Sequence, residues 1–160
     1  MPVHRTSIVK QRGVALIEVM ISFLLLSVAL IGFSALQVRT TKATQSSLQR
    51  TDASILASSI LESMRANKAN AIDPSLPYQL AKTCSYTLPA APNTLAQIDL
   101  NNWFTALKNA MGTFASTCAD ITCTDANSST PGMCTVNIYW DDSRALGGLK
   151  VQSVQLVGRL

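Results

Sequence analysis

Histidine is nearly missing from this chain of 160 residues; His4 is the single one. Without a second, the body of the protein offers no Ser/His/Asp set and no Cys/His pair, and it has no phosphate loop. An enzyme is therefore not expected, and nothing calls for a cofactor or a metal. Charge is scarce as well, at 14% of residues, and the stretch from Val14 to Leu36 holds no Lys, Arg, Asp, Asn, Gln or Pro. Its one ionisable side chain is Glu18. A run of about 23 residues of this kind rises roughly 34 Å as a helix, enough to cross a hydrocarbon core. Proline and glycine are then missing from Gln37 to Ala71, so nothing in that stretch stops a helix from continuing.

What is present sorts by region. Hydrophobic residues make up 48% of the chain, and the excess sits in the N-terminal run, leaving an ordinary polar remainder. The formal charge of +4 is similarly local. Arg5, Lys10 and Arg12 precede Gly13, and without them ten basic residues face nine acidic ones. The sequence pI of about 9.0 thus describes the leader more than the body, and no clustered basic stripe remains to mark a nucleic-acid surface. A basic patch formed in three dimensions stays open.

Gly13 stands before the apolar run, beside the basic residues, whereas an ordinary secretory signal places its small-residue cleavage site after the run. Cleavage after Gly13 would leave the apolar segment at a new amino terminus; without cleavage the segment is a signal anchor. In both cases the positive-inside rule keeps the basic leader cytoplasmic and exports the body. Glu18 is what a plain anchor does not explain. A carboxylate in an apolar span costs about 2.5–3.5 kcal/mol at mid-helix by translocon scales, so it either snorkels to the headgroups or finds a partner. A free amine on Val14, one turn away and about 6 Å shallower, has the complementary charge, within one chain or between two staggered chains.

Arg12-Gly13-Val14-Ala15-Leu16-Ile17-Glu18-Val19 resembles the class III prepilin signal of type IV pilins and of type II secretion pseudopilins. The resemblance implies that a prepilin peptidase cuts between Gly13 and Val14 and N-methylates Val14. It also implies that Glu18, fifth in the mature chain, neutralises the amine of a neighbouring subunit during assembly. Val14 departs from the family, in which this first residue is usually Phe.

Beyond the membrane run, Leu48, Asp52, Ile55 and Leu56, Ser59 and Ile60, and Ser63 and Met64 recur at helical spacing, predicting an amphipathic continuation to about Ala69. Gly32, Ser34 and the Thr40-Thr41 pair are its weak points. Asp73-Pro74 ends it. Cys84 to Leu88 reads as a short strand, and Asp99 to Met111 as a helix capped by Asp99 or Asn101 and stopped by Gly112. Trp103, Leu107 and Met111 share one face of that helix, with Trp103 as a core anchor. The polar Cys118–Cys134 segment reads as a loop, and its Asn127-Ser128-Ser129 matches a glycosylation sequon. Thr135 to Trp140 alternates as a strand with Val136, Ile138 and Trp140 on one face. Asp141-Asp142-Ser143-Arg144 reads as a solvated turn rather than a metal or acid/base site, since no third carboxylate or histidine is near in sequence. The apolar phase slips at Gln152-Ser153, predicting a bulge or two strand segments.

The four cysteines, Cys84, Cys118, Cys123 and Cys134, suit an oxidising compartment and two disulfides. Three connectivities are open, with Cys84–Cys118 and Cys123–Cys134 preferred. Zinc is disfavoured, because Cys118 and Cys123 lack the tight spacing of zinc ribbons and His4 is remote.

The expected fold is α+β: a long N-terminal helix, transmembrane then amphipathic, packed on a small C-terminal antiparallel sheet. This looks like the pilin architecture, most like a PilV-type minor pilin. The expected divisions are a leader (1–13), a transmembrane and assembly helix (14–36), an amphipathic continuation (37–71) and a periplasmic head (72–160). The resemblance implies a minor pilin that primes pilus assembly in a tip complex. It would start in the inner membrane and end in the pilus at the cell surface. Its implied partners are other minor pilins and the major pilin, through the N-terminal helix, together with the prepilin peptidase, the inner-membrane assembly machinery and membrane lipid. Alternatives are a minor pseudopilin of a type II secretion system and a membrane-anchored periplasmic module for adhesion or DNA uptake, and DNA binding by the head stays open.

Overall fold

The computed structural model describes residues 15–91, 94–124, 132–145 and 147–160. The chain divides into two compact units, one ending at Thr40 and one beginning at Thr41. Helix α1 (Leu16–Ala66) supplies the first unit and opens the second. The rest of the second unit is α2 (Lys68–Ala71), β1 (Leu80–Thr83), α3 (Leu95–Met111), β2 (Cys118–Thr124), β3 (Met133–Trp140) and β4 (Gln152–Arg159). The four strands form one antiparallel sheet in the order β1-β2-β3-β4. The fold is thus α+β, a long N-terminal helix against a small C-terminal antiparallel sheet, as in pilins.

Within the second unit α1 buries Ala53, Ala57, Ile60, Leu61 and Met64. The predicted apolar face is rotated at its start: Leu48 and Ile55 are exposed at 56% and 59%, and the two alanines take the inward positions. Small side chains there let the helix backbone approach its neighbours closely. Gly158 of β4 works to the same end, since a Cβ on it would lie 2.8 Å from the Leu61 methyl carbons. The expected helix to Ala69 breaks at Asn67 and resumes as the single turn of α2. Asn67 Nδ2 donates to the Tyr78 hydroxyl at 3.0 Å, and that hydroxyl donates to Asp99 Oδ2 at 2.5 Å, tying the end of α1 to α3 through a buried phenol.

Helix α3 begins at Leu95, four residues before the expected Asp99, because Thr94 and Gln97 form a reciprocal capping box. It ends at Gly112, whose φ of 92° suits a residue without a side chain. Trp103, Leu107 and Met111 are buried, with Phe104 beside them, and Trp103 Nε1 donates to the Leu56 carbonyl of α1 at 2.8 Å. Trp103 is a core anchor whose polar end is satisfied.

Three strand expectations are corrected. The first strand lies at Leu80–Thr83, not Cys84–Leu88. Past Thr83 the chain turns, with Thr83 Oγ1 bonding both the amide and the carbonyl of Ser85. The start of the Cys118–Cys134 segment is not a loop but β2. Its Asp120 tolerates the strand because Asn137 directly opposite donates to it at 2.7 Å. The last strand is a single one in regular register with β3, and Leu149 and Val151, which produced the phase slip, lie outside it and exposed. The strand read at Thr135–Trp140 is present as β3, with Val136, Ile138 and Trp140 buried. The Asn127-Ser128-Ser129 sequon lies outside the described residues.

Disulfides join Cys84 to Cys118 and Cys123 to Cys134. The second links directly opposed residues of β2 and β3, and the first fixes the chain after β1 to the first residue of β2. With sequence separations of 34 and 11, the loop-entropy relation gives about 4 and about 3 kcal/mol respectively. Replacing Cys84 and Cys118 by Ala should therefore lower the unfolding free energy more than the Cys123/Cys134 pair does, as denaturant melts of both double variants would show.

Burial, then the Asp99 hydrogen bond, push the Tyr78 pKa up from 10.0 to about 12. The fold thus favours the neutral phenol, and this stabilisation is complete below pH 10 and lost as pH rises toward 12. Tyr78→Phe should destabilise the protein by about 1–2 kcal/mol at neutral pH and flatten its alkaline stability loss. Melts from pH 7 to 12 measure both.

Candidate functional site

The first unit presents an unusual surface. Every residue from Ala15 to Leu36 is exposed, including Leu16 at 78% and Ile31 at 71%. An apolar surface this continuous is what water disfavours and lipid or a second helix accepts. Helix α1 is long and apolar enough to cross a membrane, and nothing in its apolar window is buried by this chain. The backbone meets the same requirement, since a helix closes its own hydrogen bonds. α1 continues without a break through Gly32, Ser34 and Thr40-Thr41.

Side-chain polarity is handled residue by residue. Ser22 Oγ donates to the Glu18 carbonyl at 2.7 Å, Ser27 to Leu24 at 2.8 Å and Ser34 to Leu30 at 2.8 Å. The three hydroxyls are therefore spent on α1 itself and do not ask for water. Glu18 differs. It sits in the first turn of α1, its amide donating to Ala15 at 2.8 Å, and it lines a shallow groove with Val19, Ser22, Phe23 and Leu26. Between Ala15 and Leu36, its carboxylate is the polar side-chain group that has no hydrogen bond or ion pair from the described residues. The helix N-terminus favours a negative charge at this position but leaves its oxygens open to a donor from outside.

Gly13 and Val14 lie outside the described residues. The four cysteines are all in the second unit and serve the sheet.

One polar residue was misread from the sequence. Asp141 is exposed, but Asp142 is buried to 3% exposure and accepts from Ser46 Oγ of α1 at 2.6 Å, so the expected solvated turn holds only in part. The inward parity of Val136, Ile138 and Trp140, extended by two residues, was the signal for this. Among the described residues no group of three or more His, Cys, Asp or Glu side chains is placed to hold a metal ion.

Residues 8–34 match the family model of the prokaryotic N-terminal methylation motif. No curated protein and no solved structure gives a significant match to the chain. The matched motif covers the basic leader's end, Gly13, Val14, Glu18 and most of the apolar run. The chain thus carries a prepilin-type signal on a pilin-like α+β fold, and the two together point to a structural protein rather than an enzyme.

Proposed function

We propose that this protein is a minor pilin of a type IV pilus that helps prime assembly as part of a minor-pilin tip complex. The observation that carries the reading is Glu18. On a wholly exposed apolar helix whose serines satisfy themselves, it is the polar group left needing a partner, and it lies within the methylation motif. In this reading the leader (1–13) is removed after Gly13 and Val14 becomes the methylated amino terminus. Residues 14–36 then wait in the inner membrane with the head (72–160) in the periplasm, carried by the helix continuation (37–71). Assembly transfers the apolar surface from lipid to the helices of other minor pilins and the major pilin. The Glu18 carboxylate pairs with the Val14 amine of a neighbouring subunit. Leaving lipid for a bundle of like helices changes the apolar contacts little, so the charge pair sets register more than affinity.

Intact-mass analysis of the exported protein should show loss of residues 1–13 and gain of one methyl group; an unprocessed terminus would end this reading. Glu18→Val should leave membrane insertion intact and sharply reduce incorporation into filaments, measured by immunoblot of sheared surface fractions. Deleting the gene should abolish surface pili and twitching while protein secretion continues. Secretion loss with intact pili would instead identify a type II secretion pseudopilin.

A further inference from the structure

The two outer edges of the sheet are built differently. β1 is four residues long, pairs with β2 through a shifted register and carries Lys82, all of which blunt an edge against further pairing. β4 is eight residues long, keeps a regular register with β3 and contains no proline, lysine or bulge. We propose that the free edge of β4 docks an extended, acidic segment of a partner protein, which adds to the sheet as a fifth strand. This docking edge belongs to the second unit and does not depend on the pilus assignment.

Backbone hydrogen bonding defines the edge. In an antiparallel ladder, residues that exchange bonds with the facing strand alternate with residues whose amides and carbonyls point away. The Leu160 amide donates to the Gly132 carbonyl at 3.0 Å, in line with the β3–β4 register, so Leu160 faces β3. By alternation the even-numbered residues of β4 face β3, and Ser153, Gln155, Val157 and Arg159 turn their backbone groups outward. The Arg159 carbonyl accepts from Arg65 Nε at 3.2 Å, which agrees with that phase and closes one end of the edge. The amides and carbonyls of Ser153, Gln155 and Val157 have no partner among the described residues, and all three residues are exposed. A strand of another chain supplies the missing donors and acceptors in one step.

Charge and packing select the occupant. From Ser143 to Leu160 the chain has no acidic residue, whereas Lys150 precedes β4 and Arg159 ends it. Asp141 answers part of the Lys150 charge, and Glu62 is engaged by Arg65, so the exposed Arg159 is the stronger attraction for a carboxylate on the incoming strand. Val154 and Leu156, partly buried at the rim of the core, offer apolar contact to alternate side chains of that strand. A second copy of this chain fits poorly. Pairing β4 with another β4 about a two-fold axis reverses the part of α1 that packs on the sheet through Leu61 and Gly158. Chains held by α1 in one membrane do not allow that reversal, and the pairing brings Arg159 no carboxylate. Pairing β4 with a second copy's β1 meets the blunted edge instead.

The test uses the full chain in detergent micelles and a fluorescein-labelled peptide of alternating threonine and valine with glutamate at both ends, read by anisotropy. The controls are the same peptide with lysine ends and the same peptide with every threonine and valine amide N-methylated. Saturable binding of the acidic peptide is expected, with slowed hydrogen exchange at the Ser153, Gln155 and Val157 amides. Lysine ends and N-methylation should each weaken binding about tenfold or more, the second because pairing loses its hydrogen bonds. Gln155→Pro removes an outward amide and leaves the β3 ladder intact, so it should abolish binding by a folded chain. Arg159→Glu should invert the preference between glutamate and lysine ends. The proposal is overturned if the acidic peptide does not saturate, if the N-methylated peptide binds as well, or if the three amides exchange unchanged. It is also overturned if a folded Gln155→Pro binds like the native chain. Concentration-dependent protection of those amides without peptide would make the occupant a second copy and overturn it too. Should the proline variant fail to fold, an unchanged preference in Arg159→Glu overturns it.

Discussion

The helix α1 has to satisfy two solvents with one backbone, and the rest of the structure depends on that constraint. Its hydrogen bonds are closed internally, so the same conformation serves in lipid, against other helices and against a protein core. What changes along it is the side chains. From Leu16 to Leu36 they are apolar all round except for Glu18, with serines turned back onto the helix. From Ser46 onward one face turns inward, and Ala53, Ala57, Ile60, Leu61 and Met64 become the floor of a core.

The rest of the second unit is built on that floor. Trp103 of α3 bonds the α1 backbone at Leu56, Asn67 and Asp99 hold the Tyr78 hydroxyl from two sides, and Gly158 lets β4 come down onto Leu61. The sheet is small for its task, and two disulfides compensate by tying β2 to β3 and to the chain after β1. Lys108 completes the connection from α3 by donating to the carbonyls of Phe114 and Thr117 at 3.0 and 2.7 Å.

Much of this was legible beforehand, for reasons that differ by region. The apolar run and Glu18 announce themselves because a charge-free stretch with one carboxylate has few physical explanations. β3 was readable because Val136, Ile138 and Trp140 alternate cleanly with polar residues. β2 was hidden because Asp120 and two threonines look like loop residues until Asn137 is seen opposite. The start of α3 is set by the reciprocal Thr94/Gln97 capping pair, which lies upstream of the equally cap-like Asp99 and Asn101. The burial of Asp142 depends on Ser46, 96 positions away, and no local pattern reports such a contact. Cysteine count alone allowed two bridges but left three ways to draw them.

The central claim is that Glu18 meets the amino terminus of another subunit once the apolar helix leaves the membrane. Ser22 lies one turn along the same groove, so a photo-crosslinking benzoylphenylalanine at that position reports directly on what faces Glu18. In assembled filaments the account predicts a crosslink to the first helical turn of a neighbouring subunit, identified by mass spectrometry. Crosslinks to lipid alone, or none to another subunit in intact filaments, would contradict it.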